Sequence, residues 1–362
     1  MIRVKILPMK NKRAQVVFFV SIFIVLSMVI SPFVLKFFTV RVGEAQVLVS
    51  ANERAELGLH TWPDGNIGVI KSNEEYIFYG TNGGLLSKTS GTLANPIEEI
   101  HYTARPIQNL KEIYNYAGGG PVFQFNETLF MLYHAEFHLN NDFQQFYSTI
   151  GLAYSLDNGE QFFDLGKIIQ STYRLNNQKP IVAEMAGAPF VIDNDYLYVF
   201  FRDTVDANLQ NNLAVARCAL HELSEAIFTD STPAFYKFFN GSFLEPGISG
   251  KSTPLEFLNA NIRWFDIGFD TKRNEYLIVL IDDTLIGQNL YLMWSKNMIN
   301  WGPRINLTYQ RGEIFYPTLI GLSDDPKISN GEWWIYFTFS EIGAWSRWQD
   351  ARLERLKIEF LL

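Results

Sequence analysis

Cysteine is almost missing from this chain: 362 residues carry one, Cys218. No internal disulfide can form, so the fold has to be stable from its apolar core. Clustered thiolates, and the structural zinc sites built from them, are excluded as well. Basic charge is scarce outside the N-terminus. Residues 1–41 hold seven bases (Arg3, Lys5, Lys10, Lys12, Arg13, Lys36, Arg41) and no acid. Removing those seven from 30 Lys and Arg leaves 23 bases against 38 acids, a net of −15. A body that acidic argues against nucleic acid as a partner, because phosphate binding needs a basic face. The sequence also has no glycine-rich phosphate loop and no His-Glu-x-x-His pair, which leaves nucleotide chemistry and zinc proteolysis unsupported.

One long apolar run is present. Ala14 to Leu35 is 22 residues without a charge. As a helix it would span about 33 Å, enough to cross the hydrocarbon core. Five of the bases precede it, which places the N-terminus in the cytoplasm and the rest outside. The expected layout is a basic segment over 1–13, a transmembrane signal anchor over 14–38, a linker or closing strand over 39–54 and a globular body over 55–362. A cleaved signal peptide is the competing reading.

Beyond residue 42, short apolar runs are punctuated by Gly, Asn and Asp, a pattern of antiparallel β-structure. Five segments share one form, polar turn residues followed by an aromatic and branched run. They are NEEYIFYG from Asn73, NETLFMLY from Asn126, DNDYLYVFF from Asp193, RNEYLIVLI from Arg273 and NGEWWIYFTF from Asn330. Their first large residues, Tyr76, Leu129, Tyr196, Tyr276 and Trp333, are 53, 67, 80 and 57 residues apart. Each follows another apolar run, so each unit opens with a hairpin. Five such units predict an all-β fold, a five-bladed β-propeller, preceded by a single transmembrane helix. A six-bladed ring and a β-sandwich are the alternatives. Either the final RLERLKIEF or the early AQVLVS would close the ring.

Residues 153–163, AYSLDNGEQFF, contain Ser155-x-Asp157-x-Gly159-x-x-Phe162. This matches the Asp-box, a propeller hairpin motif also found in sialidases. Its Asp side chain can bond backbone N–H groups and fix the turn. Gly159 can take a positive φ. These are structural duties. A shortened echo, Trp294-Ser-Lys-Asn-Met-Ile-Asn-Trp301, occupies the same place in the fourth unit.

Propeller sites lie where the innermost strands begin. Asp64 stands 12 residues before Tyr76, and Glu184 stands 12 before Tyr196. Two carboxylates on the first and third blades would face each other across a narrow channel. Glycoside hydrolysis needs such a pair, one to protonate the leaving oxygen and one to activate water or attack carbon. Two bland readings compete: Asp64 as a turn residue in Pro-Asp-Gly-Asn, and Glu184 as a solvated strand end. Further candidates for holding substrate are His60 and Trp62 just before Asp64, and His134 and Glu136 in MLYHAEFH. Arg263, Asp266, Glu313 and Tyr316, at the openings of the fourth and fifth units, complete the set. Arg202 and Asp203 read as a local ion pair.

The blade pattern, the Ser295-Lys-Asn…Trp301 element and AEMAGAPFVIDNDYLYVFF (183–201) resemble the five-bladed glycosidase superfamily of arabinanases, xylosidases and invertase-like enzymes. The resemblance implies a general base at Asp64 and a general acid at Glu184. It also implies a pKa-tuning Asp at the start of the second blade, where this chain has YAGGGPVF and no acid. It also implies a carbohydrate partner and, by analogy alone, a channel calcium; no other cofactor is expected, and membrane attachment through 14–38 rests on the apolar run instead. A non-catalytic glycan- or protein-binding propeller is the alternative.

Overall fold

The computed structural model describes residues 39–139, 145–171, 187–204, 211–255, 262–282, 289–309, 312–341 and 348–361. Residues 41–359 form one compact unit. The apolar run Ala14–Leu35 and Glu184 lie outside the described residues. Among those residues no helix is long and apolar enough to cross a membrane.

Five largely antiparallel sheets make the architecture, a five-bladed propeller, with one short strand paired in parallel. After β1 (Thr39–Val42) and β2 (Gln46–Val49), a capped turn of helix, α1 (Ala51–Glu56), leads into the first blade. That blade is β3 (Gly68–Ser72), β4 (Glu75–Asn82), β5 (Leu85–Gly91) and β6 (Glu99–Arg105), in that order. The second has a broken inner strand, β7 (Tyr116–Gly118) and β8 (Val122–Phe125), followed by β9 (Thr128–His138), β10 (Phe146–Ser155) and β11 (Phe163–Gln170). The third runs β12 (Phe190–Asp193), β13 (Tyr196–Thr204), β14 (Asn211–Ala219), β15 (Tyr236–Phe239) and β16 (Ser242–Pro246), with α2 (Leu220–Thr229) after β14. The fourth is β17 (Ile262–Asp270), β18 (Glu275–Asp282), β19 (Asn289–Ser295) and β20 (Ile305–Tyr309). The fifth begins with β21 (Glu313–Gly321), while the short β22 (Ile328–Ser329) pairs back onto β17 in parallel. It continues through β23 (Glu332–Ser340) and β24 (Arg352–Leu361). β2 pairs with β24, so both sequence candidates for closing the ring are used, side by side.

The turn chemistry explains why five hairpins form where the repeats lie. Asn73, Asn126, Asn194 and Asn274 each hold φ between 50° and 57° at the inner hairpin turn, and Gly331 does the same work at φ 90° in the fifth. Asn tolerates the left-handed region better than other side chains except Gly. The inward alternation of each strand then fills the space between blades with Phe, Ile, Leu and Tyr.

The loop at Ser155–Gln161 is closed by its own side chains. Ser155 Oγ donates to Asp157 Oδ1 at 2.7 Å and accepts from Gly159 N at 2.8 Å, while Asp157 Oδ1 accepts from Gln161 N at 3.0 Å. Ser295 and Asn297 repeat the arrangement, with Asn297 Oδ1 accepting from Ile299 N and Asn300 N. Gly159 has φ 78°, and a Cβ there would stand 2.2 Å from the Tyr79 hydroxyl of the first blade. Phe162 is buried edge-on against Tyr79, so this hairpin ties the second blade to the first.

Gly151 on β10 faces an equally tight neighbour. A Cβ there would lie 2.0 Å from Tyr133 Cζ. Tyr133 cannot retreat, since it is fully buried and its hydroxyl donates to Asp164 Oδ1 at 2.7 Å. Gly151→Ala is therefore expected to destabilise the protein by about 1–3 kcal/mol through overpacking, seen as a lowered Tm in a thermal melt.

Candidate functional site

A cavity of about 950 Å³ is lined by residues from all five blades, which places it on the ring axis. Asp64, Gly65 and Asn66 come from the segment leading into β3, and Asn115, Tyr116, His134, Glu136 and His138 from the second blade. Arg202 enters from the third blade, Arg263 and Trp264 from the fourth, and Tyr316 from the fifth.

Asp64 does not lock its own turn. Its carboxylate is held between two phenols: Tyr316 donates to Oδ1 at 2.9 Å and Tyr116 to Oδ2 at 3.0 Å. Its backbone N–H is anchored on Thr81 O at 3.0 Å. Burial raises the proton affinity of Asp64, and the two phenol hydrogen bonds only partly offset that; Glu136 adds to the rise and His134 opposes it. Burial, followed by the neighbouring Asp64 charge, pushes both tyrosines well above their ordinary range, so each stays a donor.

Tyr316 reaches Asp64 from a left-handed backbone, φ 51°. For a bulky side chain this costs about 1–2 kcal/mol. The surroundings impose it: Trp264 packs against the Tyr316 ring with centroids 5.0 Å apart, and Pro317 follows directly. Strain of this kind concentrates where a side chain must be aimed. Asn66 bridges blades nearby, donating to Phe265 O at 3.1 Å and Pro317 O at 2.7 Å.

On β9, His134, Glu136 and His138 alternate, so all three face the cavity. Glu136 accepts from both rings: Oε1 lies 3.1 Å from His134 Nε2 and Oε2 lies 2.6 Å from His138 Nε2. Burial would raise its pKa, but the two imidazoles outweigh burial and hold it below the ordinary carboxylate range. Across the cavity, Arg263 stacks on Trp264 with Cζ 4.3 Å from the ring centroid, and Arg202 Nη1 donates to Arg263 O at 3.4 Å.

The structure thus brings Asp64, His134, Glu136, Arg263 and Tyr316 together. Four expected residues fall elsewhere. His60 is exposed and does not line the cavity; its carbonyl accepts from Arg54 Nη1 at 2.6 Å. Trp62 is core, 1% exposed, with Gly80 beneath its ring: a Cβ on Gly80 would meet Trp62 Nε1 at 2.4 Å. Asp266 is wholly buried, ion-paired to Lys327 Nζ at 2.6 Å and accepting from Leu319 N at 2.7 Å, so it joins the fourth and fifth blades rather than meeting a ligand. Glu313 opens β21 but is not among the cavity residues. The expected Arg202–Asp203 pair is also absent: Arg202 faces the cavity, while Asp203 pairs with Lys237 at 3.3 Å.

Tyr116 and Asn115 were not among the expected cavity residues, and Arg202 and Trp264 were not expected to meet a ligand. Tyr116 stands one residue before Ala117, the strand-start position reached by counting back from Leu129. An aromatic hydroxyl at that position was the available signal. A calcium ion asks for several oxygen ligands. The donors here do not fit one: Glu136 is occupied by two imidazoles and Asp64 by two phenols. Among the described residues no group of three or more His, Cys, Asp or Glu could hold a metal.

No family model matches the sequence, and no curated protein matches it. Solved structures do match in fold. One is the catalytic domain of a family 62 α-L-arabinofuranosidase from Coprinopsis cinerea, with TM-score 0.51 and 12% identity over 89% of this chain and 97% of that one. The α-L-arabinofuranosidase of Podospora anserina, solved with cellotriose, gives 0.52 and 10% over 88% and 97%. A family 117 glycoside hydrolase from the marine bacterium Zobellia galactanivorans gives 0.54 and 10% over 89% and 91%. At these identities the likeness is one of fold. The chain shares the five-bladed propeller with these enzymes.

Proposed function

We propose that this protein is a glycan-active propeller, a glycoside hydrolase using Asp64 as general base and Glu184 as general acid. The observation that carries the reading is Asp64 itself. A carboxylate aimed by two phenols into a cavity shared by five blades, at the cost of a strained Tyr316, is built for a ligand. Its raised proton affinity makes it a better base than an exposed aspartate. Hydrolysis then needs an acid on the other side of the glycosidic oxygen, and the segment carrying Glu184 leads directly into Gly187 and Ala188 of the cavity wall. The Arg263–Trp264 stack and Tyr116 offer a flat wall and donors suited to a sugar ring. The named activities of the fold neighbours agree with this substrate class. The apolar run Ala14–Leu35 supports attachment to a membrane, with the propeller on the extracytoplasmic side.

A second reading is a binding propeller without turnover. It is favoured by one observation, the three glycines at 118–120 where the second blade would carry an acid. Release of reducing sugar from a panel of plant and algal glycans separates the two. Glu184→Gln is expected to lower that rate by about 10²-fold or more with an unchanged melt. Hydrolysis by the variant at the parent rate would overturn the assignment of Glu184. Saturable binding with no product from the parent would establish the second reading.

A further inference from the structure

The inner strand of the second blade leaves no room for a carboxylate at Gly118 or Gly120, where it passes the cavity. A Cβ at Gly118 would stand 2.6 Å from Thr81 Cγ2 and 2.7 Å from Tyr116 Cε1. At Gly119 it would meet Leu86 Cδ2 at 2.5 Å, and at Gly120 the Leu132 carbonyl at 2.5 Å. The strand is pressed against the first blade on one side and against β9 on the other. The adjacent strand sends side chains in its place. Tyr116 and Gly118 pair in register with Glu136 and His134, so both β9 groups emerge beside the glycine stretch.

We propose that Glu136, clamped between His134 and His138, is the second functional carboxylate of the described pocket, and that its negative charge acts on Asp64 across Tyr116. The two carboxylates flank one phenol: Tyr116 donates to Asp64 Oδ2 at 3.0 Å, and its backbone is the register partner of Glu136. The His134 ring lies edge-on to Tyr116 with centroids 6.1 Å apart, which fills the space between them. Glu136 itself has both oxygens committed to imidazole nitrogens, one on each side. A side chain meant only to brace a strand does not need two histidines to keep it ionised at a cavity wall. The titratable and charged groups facing it are His134 and His138 on its own strand and Tyr116 on β7. Asp64, Arg202, Arg263 and Tyr316 face it from the other blades around the cavity. Within this set Glu136 raises and His134 lowers the proton affinity of Asp64. Glu136 is thus a positioning residue, acting through Asp64 and Tyr116.

The catalytic consequence rests on the hydrolase reading; the coupling of the two carboxylates does not. The test is a ¹³C NMR titration of the aspartate carboxyls in the full chain, with the Asp64 signal assigned by its loss in Asp64→Asn. Glu136→Gln is expected to shift the Asp64 titration down by about half a pH unit or more, because a like charge has been removed. His134→Gln is expected to shift it upward, and it keeps the question answerable should Glu136→Gln fail to fold. If turnover is present, the acid limb of kcat/KM moves the same way in each variant. An Asp64 titration unmoved in folded Glu136→Gln, or in folded His134→Gln, overturns the proposal. A parent with no turnover on any glycan would overturn the hydrolase reading instead, and would leave a measured shift standing.

Discussion

Asp64→Asn is expected to lower turnover by about 10⁴-fold and, in the same protein, to raise thermal stability at neutral pH. The loss follows from removing the only described carboxylate that both tyrosines aim into the cavity. The gain follows from its burial. Asn has the same shape, its carbonyl oxygen can accept from one phenol, and its amide can donate to the other, whose hydroxyl rotates to suit. The sign of the pH dependence is fixed. Burial raises the Asp64 pKa in the folded protein. The folded state therefore binds that proton more tightly than the unfolded chain, whose Asp titrates at about 3.9. Parent stability from this group is highest below the unfolded value and falls as pH rises through the folded one. The Asn variant lacks that fall. Melts of both proteins from acid to neutral pH should show a gap that opens across that window and then stays constant. A gap independent of pH, or turnover retained by the variant, would refute the role given to Asp64.

The architecture was legible because each blade announces itself locally. Asn-Glu, Asn-Asp or Asn-Gly between two apolar runs is a turn with a mechanism, and the five inner hairpins were all located by it. His134 and Glu136 were legible too, since alternate residues of one strand share a face. The same period explains the errors. Arg202 and Asp203 are neighbours in sequence and so point to opposite faces of β13, one to the cavity and one to Lys237. Their opposite charges suggested a pair that strand geometry forbids. Asp266 stands two residues beyond Trp264, the strand start reached by counting back from Tyr276, yet its side chain turns to Lys327, which sits 61 residues later. Trp62 stands two residues before Asp64 in sequence, but its indole is buried in the core. The phenol pair on Asp64 was not legible at all. Tyr116 and Tyr316 are 52 and 252 residues away, and only closure of the ring brings them together.

The largest stability effect is expected away from the cavity, at Lys237. Both Lys237 and Asp203 are wholly buried. Lys237 Nζ donates to Gln170 O at 2.8 Å, Gly250 O at 3.0 Å and Asp203 Oδ2 at 3.3 Å. It thereby joins β15 to the ends of β11 and β13 and to the loop after β16. Ser252 adds a hydrogen bond to the same carboxylate oxygen at 2.7 Å, while Asp203 Oδ1 has no hydrogen-bond partner among the described residues. The arrangement tolerates little loss. Lys237→Met would leave Asp203 charged, buried and supported by one hydroxyl, at a cost of about 3–5 kcal/mol. The Gln170 and Gly250 carbonyls would each lose one donor as well, adding to the penalty. Burial already holds the Lys237 pKa down, with Asp203 opposing the effect, so the pair is held in place by mutual need rather than by net attraction. That makes the double variant informative. Asp203→Ala in the Lys237→Met background should recover a large part of the loss, because no uncompensated charge is left behind. Denaturant melts of the two single variants and the double variant give the coupling energy directly. Additive losses would mean that Lys237 acts through its carbonyl contacts alone, among them the Gln170 bond to the second blade, and that the buried ion pair within the third blade contributes nothing.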